Sequence, residues 1–183
     1  MLFVRENWKF IWQCEGLLSE NSCRNVISLD SVNVKAFSLA ARSFISLNQA
    51  ENAAGVYQLM YTRFKKVNYL YDKAIVQFNG KLEKESLSTL SAILADSTSS
   101  TEKIEIVNKN AEGKVTKQNI PIAAAAYNVA GYILLQQKNN KLAKAQFEAS
   151  IKISPEFIFA NNNLREVLKL EAKPKTPVVE KSK

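Results

Sequence analysis

The sequence predicts an all-α chain of helix-turn-helix pairs that repeat along its length, interrupted by one short insertion and closed by a C-terminal helix. Three observations carry this. Tyr127 to Pro155 reads as two apolar helices joined by a polar turn at Gln136 to Asn140, with small and large side chains at fixed offsets. The same offsets return from Phe37 and, more weakly, from Leu70, which is 33 residues further on. The chain also has only 5 Gly and 4 Pro in 183 residues, few enough to leave long uninterrupted helices. An apolar share of 46% is ordinary for a globular protein and supplies a core.

Counting from Tyr127, Ala130 and Gly131 lie three and four on, Leu134 seven, Ala143 sixteen, Phe147 twenty, Ser150 twenty-three and Pro155 twenty-eight. The small residues let the second helix lie close across the first, the aromatics fill the gap between them, and the proline ends the pair. From Phe37, the matching positions hold Ala40, Ala41, Phe44, Ala53, Tyr57 and Met60, with Lys65 in place of the proline. From Leu70, Ala74, Ser86, Leu90 and Ile93 fit, while Lys73 and Gln77 do not. This pattern closely resembles the tetratricopeptide repeat (TPR), whose period is about 34 residues. The resemblance implies a solenoid of stacked helix hairpins.

Met1 to Asp30 reads as a helical pair through Phe3, Trp8, Trp12, Leu17, Val26 and Ile27, but Glu6 and Asn7 stand where small residues belong. It is either a degenerate first repeat or an N-terminal capping pair. Asn33 is a suitable N-cap for the Phe37 pair, and Asn48-Gln49 makes its turn. The Leu70 pair follows Asn68, and Asn79-Gly80 stops its first helix, with Gly80 able to take the left-handed conformation. Residues 96–119 form the insertion. DSTSST is a polar linker; KIEIVNK and KVTKQ alternate apolar with polar around a Gly-containing loop, which suggests a small β-hairpin, with a mobile loop as the alternative. Pro121 suits the first turn of the next helix. Ser154-Pro155-Glu156 repeats that start signal for a last, capping helix running to about Ala172. The expected domain is therefore 1–172, followed by a disordered basic tail, 173–183, with two prolines and four lysines.

Net charge is +8, from 25 basic and 17 acidic residues, which favours acidic partners or simply keeps a basic surface in solution. Cys14 and Cys23 have no metal-ligand spacing and read as buried free thiols, with a disulfide as the alternative. The chain has no histidine, so the commonest general base and metal ligand is missing. The glycines are scattered and make no phosphate loop. No catalytic constellation can be assembled, and the expectation is a non-enzymatic protein with no cofactor and no metal. Charges at Arg5, Glu6, Lys9 and Glu15 argue against a secretory leader. The uncharged run Asn119 to Gln137 is too weakly hydrophobic for a membrane span and reads as a buried helix, so a cytoplasmic location is expected.

The resemblance implies a concave groove lined by the first helix of each pair. The groove-facing candidates are Lys35, Ser38, Leu39, Arg42 and Ile45, then Tyr71, Asp72, Ile75 and Phe78, then Asn128, Val129, Tyr132, Leu135 and Gln136. The closing helix adds Phe159, Asn162, Asn163 and Glu166. Asn amides can bond a peptide backbone through donor and acceptor alike, and Tyr and Phe give rigid contact area. Arrays of this family that clamp a chaperone's C-terminal carboxylate need Lys, Asn and Arg at set positions. Here those positions hold Ser38, Arg42, Asp72, Ala125 and Val129, and Asp72 would repel a carboxylate. The leading expectation is thus a scaffold or adaptor that binds a protein or peptide segment in its groove by some other chemistry. The alternatives are a nucleic-acid binder using Arg63, Lys65, Lys66 and the tail, disfavoured because its lysines are scattered, and a subunit of a larger secretion or envelope assembly.

Overall fold

The computed structural model describes residues 34–109 and 113–172. The expectations for Met1 to Asp30 and for the tail lie outside these residues. Seven α-helices and one hairpin are described, in the order α1 (Val34–Ser46), α2 (Ala50–Phe64), α3 (Asn68–Asn79), α4 (Glu83–Ala95), β1 (Lys103–Lys109), β2 (Val115–Pro121), α5 (Ile122–Gln136), α6 (Asn140–Ile153) and α7 (Ile158–Ala172). A 3₁₀ turn, Ser97–Ser100, leads into β1. The architecture is an all-α repeat solenoid with a small β insertion. Its helices pack as α1·α2, α3·α4 and α5·α6, with each pair stacked on the next and α7 laid against α6.

The offsets explain the pairing. Ala40, Ala41, Ala53, Ala74, Ser86 and Ala143 are each almost fully buried, so backbones approach closely where the helices cross. Gly131 is the tightest case: a Cβ there would lie 2.7–3.0 Å from the Phe147 ring, itself fully buried. The core is a chain of overlapping clusters. Phe37, Phe44, Val56 and Met60 join α1 to α2, with Tyr69 and Val76 of α3. Leu70, Phe78, Leu90, Ile93, Ile122 and Ile133 join α3 and α4 to α5. Two positions that break the pattern are reconciled locally. Gln77 is buried and accepts a 2.7 Å hydrogen bond from Thr89 Oγ1, and Lys73 Nζ reaches out to donate to Gln58 Oε1 at 2.8 Å. Buried Ser86 and Ser150 donate to the carbonyls of Ala74 and Ala124 in the facing helices.

The turns depart from expectation in one respect. Gly80 stays right-handed at φ −77°, and the left-handed residue is Lys81 at φ 67°. Gly80 is needed for space instead, because a Cβ there would collide with the Ala50 methyl at the start of α2. Asn48, Lys65 and Lys138 are also left-handed, at φ 58°, 55° and 61°, so the α1–α2, α2–α3, α3–α4 and α5–α6 connections each turn on one such residue. Lys65 thereby ends α2 without a proline, its N–H bonding Tyr61 O at 2.8 Å.

The insertion is an antiparallel hairpin with Ile104 opposite Ile120 and Ile106 opposite Gln118. Ile106 and Ile120 are buried against Ala124, Ala125, Phe157, Phe159 and Ala160. Gln118 lies opposite Ile106 and ties the hairpin to the last helix: its Oε1 accepts from Ile158 N at 3.2 Å and its Nε2 donates to Glu156 O. Pro121 ends β2 rather than entering α5, and α7 begins at Ile158, three residues beyond Pro155, because Phe157 first turns inward to full burial.

Gly131→Ala is expected to lower stability by about 1–3 kcal/mol through overpacking against Phe147, measured by urea denaturation. Adding Phe147→Leu, which makes room, should recover part of that loss relative to Phe147→Leu alone. Lys81→Gly relieves left-handed backbone and should raise stability by about 0.5–1 kcal/mol. A melting temperature that falls would refute the assigned turn.

Candidate peptide-binding groove

The face made by α3, α5 and α7 carries a cavity of about 440 Å³. Helical spacing places its lining. Tyr71, Ile75 and Phe78 recur at intervals of four and three on α3, with Asp72 and Val76 on the adjoining row. Asn128, Val129 and Tyr132 come from α5, Phe157 from the turn before α7, and Phe159 and Asn163 from α7. Ile45 of α1 and Tyr57 of α2 close one end. Ile104, Glu105 and Ile106 of β1 form a wall.

Several rings are fixed by one another. Phe78 and Tyr132 meet edge to face at 5.8 Å between centroids, and Phe157 and Phe159 do so at 5.9 Å. Asn163 Nδ2 donates to Asn128 Oδ1 at 2.9 Å, bridging α7 to α5 across the cavity. Two acidic residues line the cavity. Glu105 is half-exposed at the hairpin and is paired with Lys117 at 3.0 Å. Asp72 is different. Desolvation by the surrounding protein pushes its carboxyl up to about pKa 7. Burial first, and the nearby Asp72 charge second, raise the hydroxyls of Tyr57 and Tyr71 above their usual range. Arg42 opposes this at Tyr57.

Of the groove-facing candidates, Ile45, Tyr71, Asp72, Ile75, Phe78, Asn128, Val129, Tyr132, Phe159 and Asn163 come together here. Lys35, Ser38, Leu39, Arg42, Leu135, Gln136, Asn162 and Glu166 do not line the cavity. Ser38 Oγ bonds back to Val34 O at 2.9 Å within its own helix. Gln136 and Asn162 are exposed; Asn162 is one residue, and so about 100° of helix, away from the lining Asn163. Tyr57, Val76, Phe157 and the β1 residues are not among the candidates. The offset of Tyr57 marked it as filler between paired helices, and the alternation in KIEIVNK marked a strand without saying where the strand packs.

These features define a TPR-like helical repeat with one hairpin-walled cavity described. Two crystal structures of MamA, a protein of TPR-like fold, are similar to it. One aligns with a TM-score of 0.57 at 14% identity, covering 83% of this chain and 76% of MamA. The other gives 0.56 at 14%, covering 83% and 71%. No protein-family model matches the chain, and no curated protein matches it in sequence. Among the described residues, no group of three or more His, Cys, Asp or Glu side chains is placed to hold a metal. No described helix is long and apolar enough to cross a membrane.

The folded protein keeps the Asp72 proton up to about pH 7, whereas the unfolded chain releases it near 3.8. The folded state thus binds more protons across that window, and stability contributed at this site falls as pH rises through it. Asp72→Asn removes the fall. The variant should match the wild type at pH 4 and exceed it by about 2 kcal/mol at pH 8 in chemical denaturation, a figure reduced for the cavity's wet side.

Proposed function

We propose that this chain is a non-enzymatic interaction scaffold that binds an extended or helical segment of a partner protein in the α3–α5–α7 cavity. The observation that supports it most is the lining itself. Aromatic and aliphatic side chains from five helices and one strand converge on a single concavity, with the amides of Asn128 and Asn163 and the carboxylates of Asp72 and Glu105 among them. This is the composition of a recognition pocket: rigid apolar area for affinity, sparse polar groups for orientation. Within it, Tyr71, Asp72, Ile75, Phe78, Asn128 and Tyr132 act as binding residues. Lys35, Ser38, Arg42, Gln136 and Asn162 serve at most the rim. The hairpin, as a wall, sets the length and shape of segment accepted. A polyanion is a poor match, because the ionisable side chains lining the cavity besides its tyrosines are acidic.

Affinity capture with the purified chain, followed by mapping of the captured partner to a short peptide, tests this. Tyr71→Ala/Tyr132→Ala should retain its helical circular dichroism and weaken binding of that peptide at least about tenfold. Raising salt from about 50 to 200 mM should change the affinity less than about threefold, where nucleic-acid binding through many phosphates would fall by about 10³ or more. A folded double variant that binds like the wild type would remove the cavity from the function.

A further inference from the structure

We propose that the cavity selects a basic side chain: a lysine or arginine of the bound segment, its stem among Tyr71, Ile75 and Tyr132 and its cation at the Asp72 carboxylate. This rests on the groove reading above and adds the chemical class of the residue recognised.

Three features of the site converge on a cation. The protein carries a net charge of +8, yet neither Lys nor Arg lines this cavity. The neighbouring Lys73 is turned away to Gln58 on α2. Arg42 acts on Tyr57, but no cation among the described residues offsets the desolvation of Asp72. The aromatic rings beside it provide the second half of a cation site, since Tyr and Phe attract Lys or Arg when water is excluded. A carboxylate ligand would be repelled by Asp72. An apolar side chain would leave the Asp72 charge buried and unpaired, which is costly. A basic side chain removes that cost, and its aliphatic stem matches the apolar walls.

The recognition is coupled to pH, because a cation binds the ionised carboxylate and must displace the proton held by free Asp72. The charge of Asp72 acts on Tyr57 from α2 and on Tyr69 and Tyr71 from its own helix; Tyr132 from α5 and Glu105, in its pair with Lys117, line the same cavity, and Arg42 acts on Tyr57. The chain has no histidine to titrate in the same window.

The test uses the full chain and terminally blocked nonapeptide pools. The central residue is Lys, Arg, norleucine or Glu, and the other positions are a mixture of Ala, Leu, Tyr and Asn. At pH 8 the Lys or Arg pool should bind at least about tenfold tighter than the norleucine pool, with Glu weakest. Comparing the first two separates ammonium from guanidinium recognition. The preference should shrink on the order of tenfold at pH 5.5, where free Asp72 is mostly protonated. In Asp72→Asn it should drop below about twofold at both pH values, in a variant whose helical circular dichroism and cooperative unfolding match the wild type and so show that it is folded. In the wild type, the Asp72 carboxyl carbon resonance should titrate near neutrality alone and well below that with the Lys pool. Equal binding of the Lys, Arg and norleucine pools, or a preference that survives in Asp72→Asn, overturns the proposal and leaves the groove reading standing. Failure of every pool to bind overturns both.

Discussion

The contact between Gly131 and Phe147 shows the constraint on which the whole array depends. Two helices joined by a short turn can bury a common face only where one gives up side-chain volume and the other supplies it. In α5 the volume given up is complete, and a fully buried ring takes its place. The other pairs use milder versions. Ala40 and Ala41 admit the larger partners of α2, and Ala74 meets a helix whose matching position holds Leu90 rather than an aromatic. Repetition of this exchange gives a core that runs from pair to pair, so each helix depends mainly on its neighbours.

The hairpin is the exception to nearest-neighbour packing. It leaves the solenoid after α4 and returns at α5, yet Ile106 and Ile120 are covered not only by Ala124 and Ala125 of α5 but also by Phe157, Phe159 and Ala160, which lie in α7 and the turn before it, far along the chain. Gln118 makes this attachment specific by accepting from the first N–H of α7, a group that would otherwise lack an intrahelical partner. The last helix is therefore held from two sides, by α6 and by the insertion. The cavity lies between the hairpin and the solenoid face, so the element that interrupts the repeat also encloses the site.

The helix pairs were legible in the sequence because the packing rule is local: Ala130, Gly131, Ala143 and Phe147 fall within twenty residues of Tyr127. The candidates on α3 and α5 were legible for the same reason, since spacing on one helix fixes a face. What spacing hides is contact over long separations. Nothing in KVTKQN says that Gln118 caps a helix starting forty residues later. Nothing near Tyr57 says that it reaches the cavity that Asn163 lines. Gly80 shows a subtler failure, in which a correct stop was assigned the wrong cause. Its conformation is ordinary, and the need for glycine comes from Ala50, thirty residues earlier.

Asp72 shows why net charge is a poor guide to what a site binds. The net charge is +8, but most of the described lysines are exposed, where a charge is solvated and screened within roughly 8–10 Å at ordinary ionic strength. A single carboxylate in a desolvated, aromatic cavity acts at short range and low dielectric, where one charge outweighs many distant ones. The same desolvation makes Asp72 a burden to the folded state. An amide at position 72 would carry no such cost above neutrality. A carboxylate kept there, beside rings that cannot neutralise it, gives up folding free energy above neutrality, and a cation from outside is what would restore it.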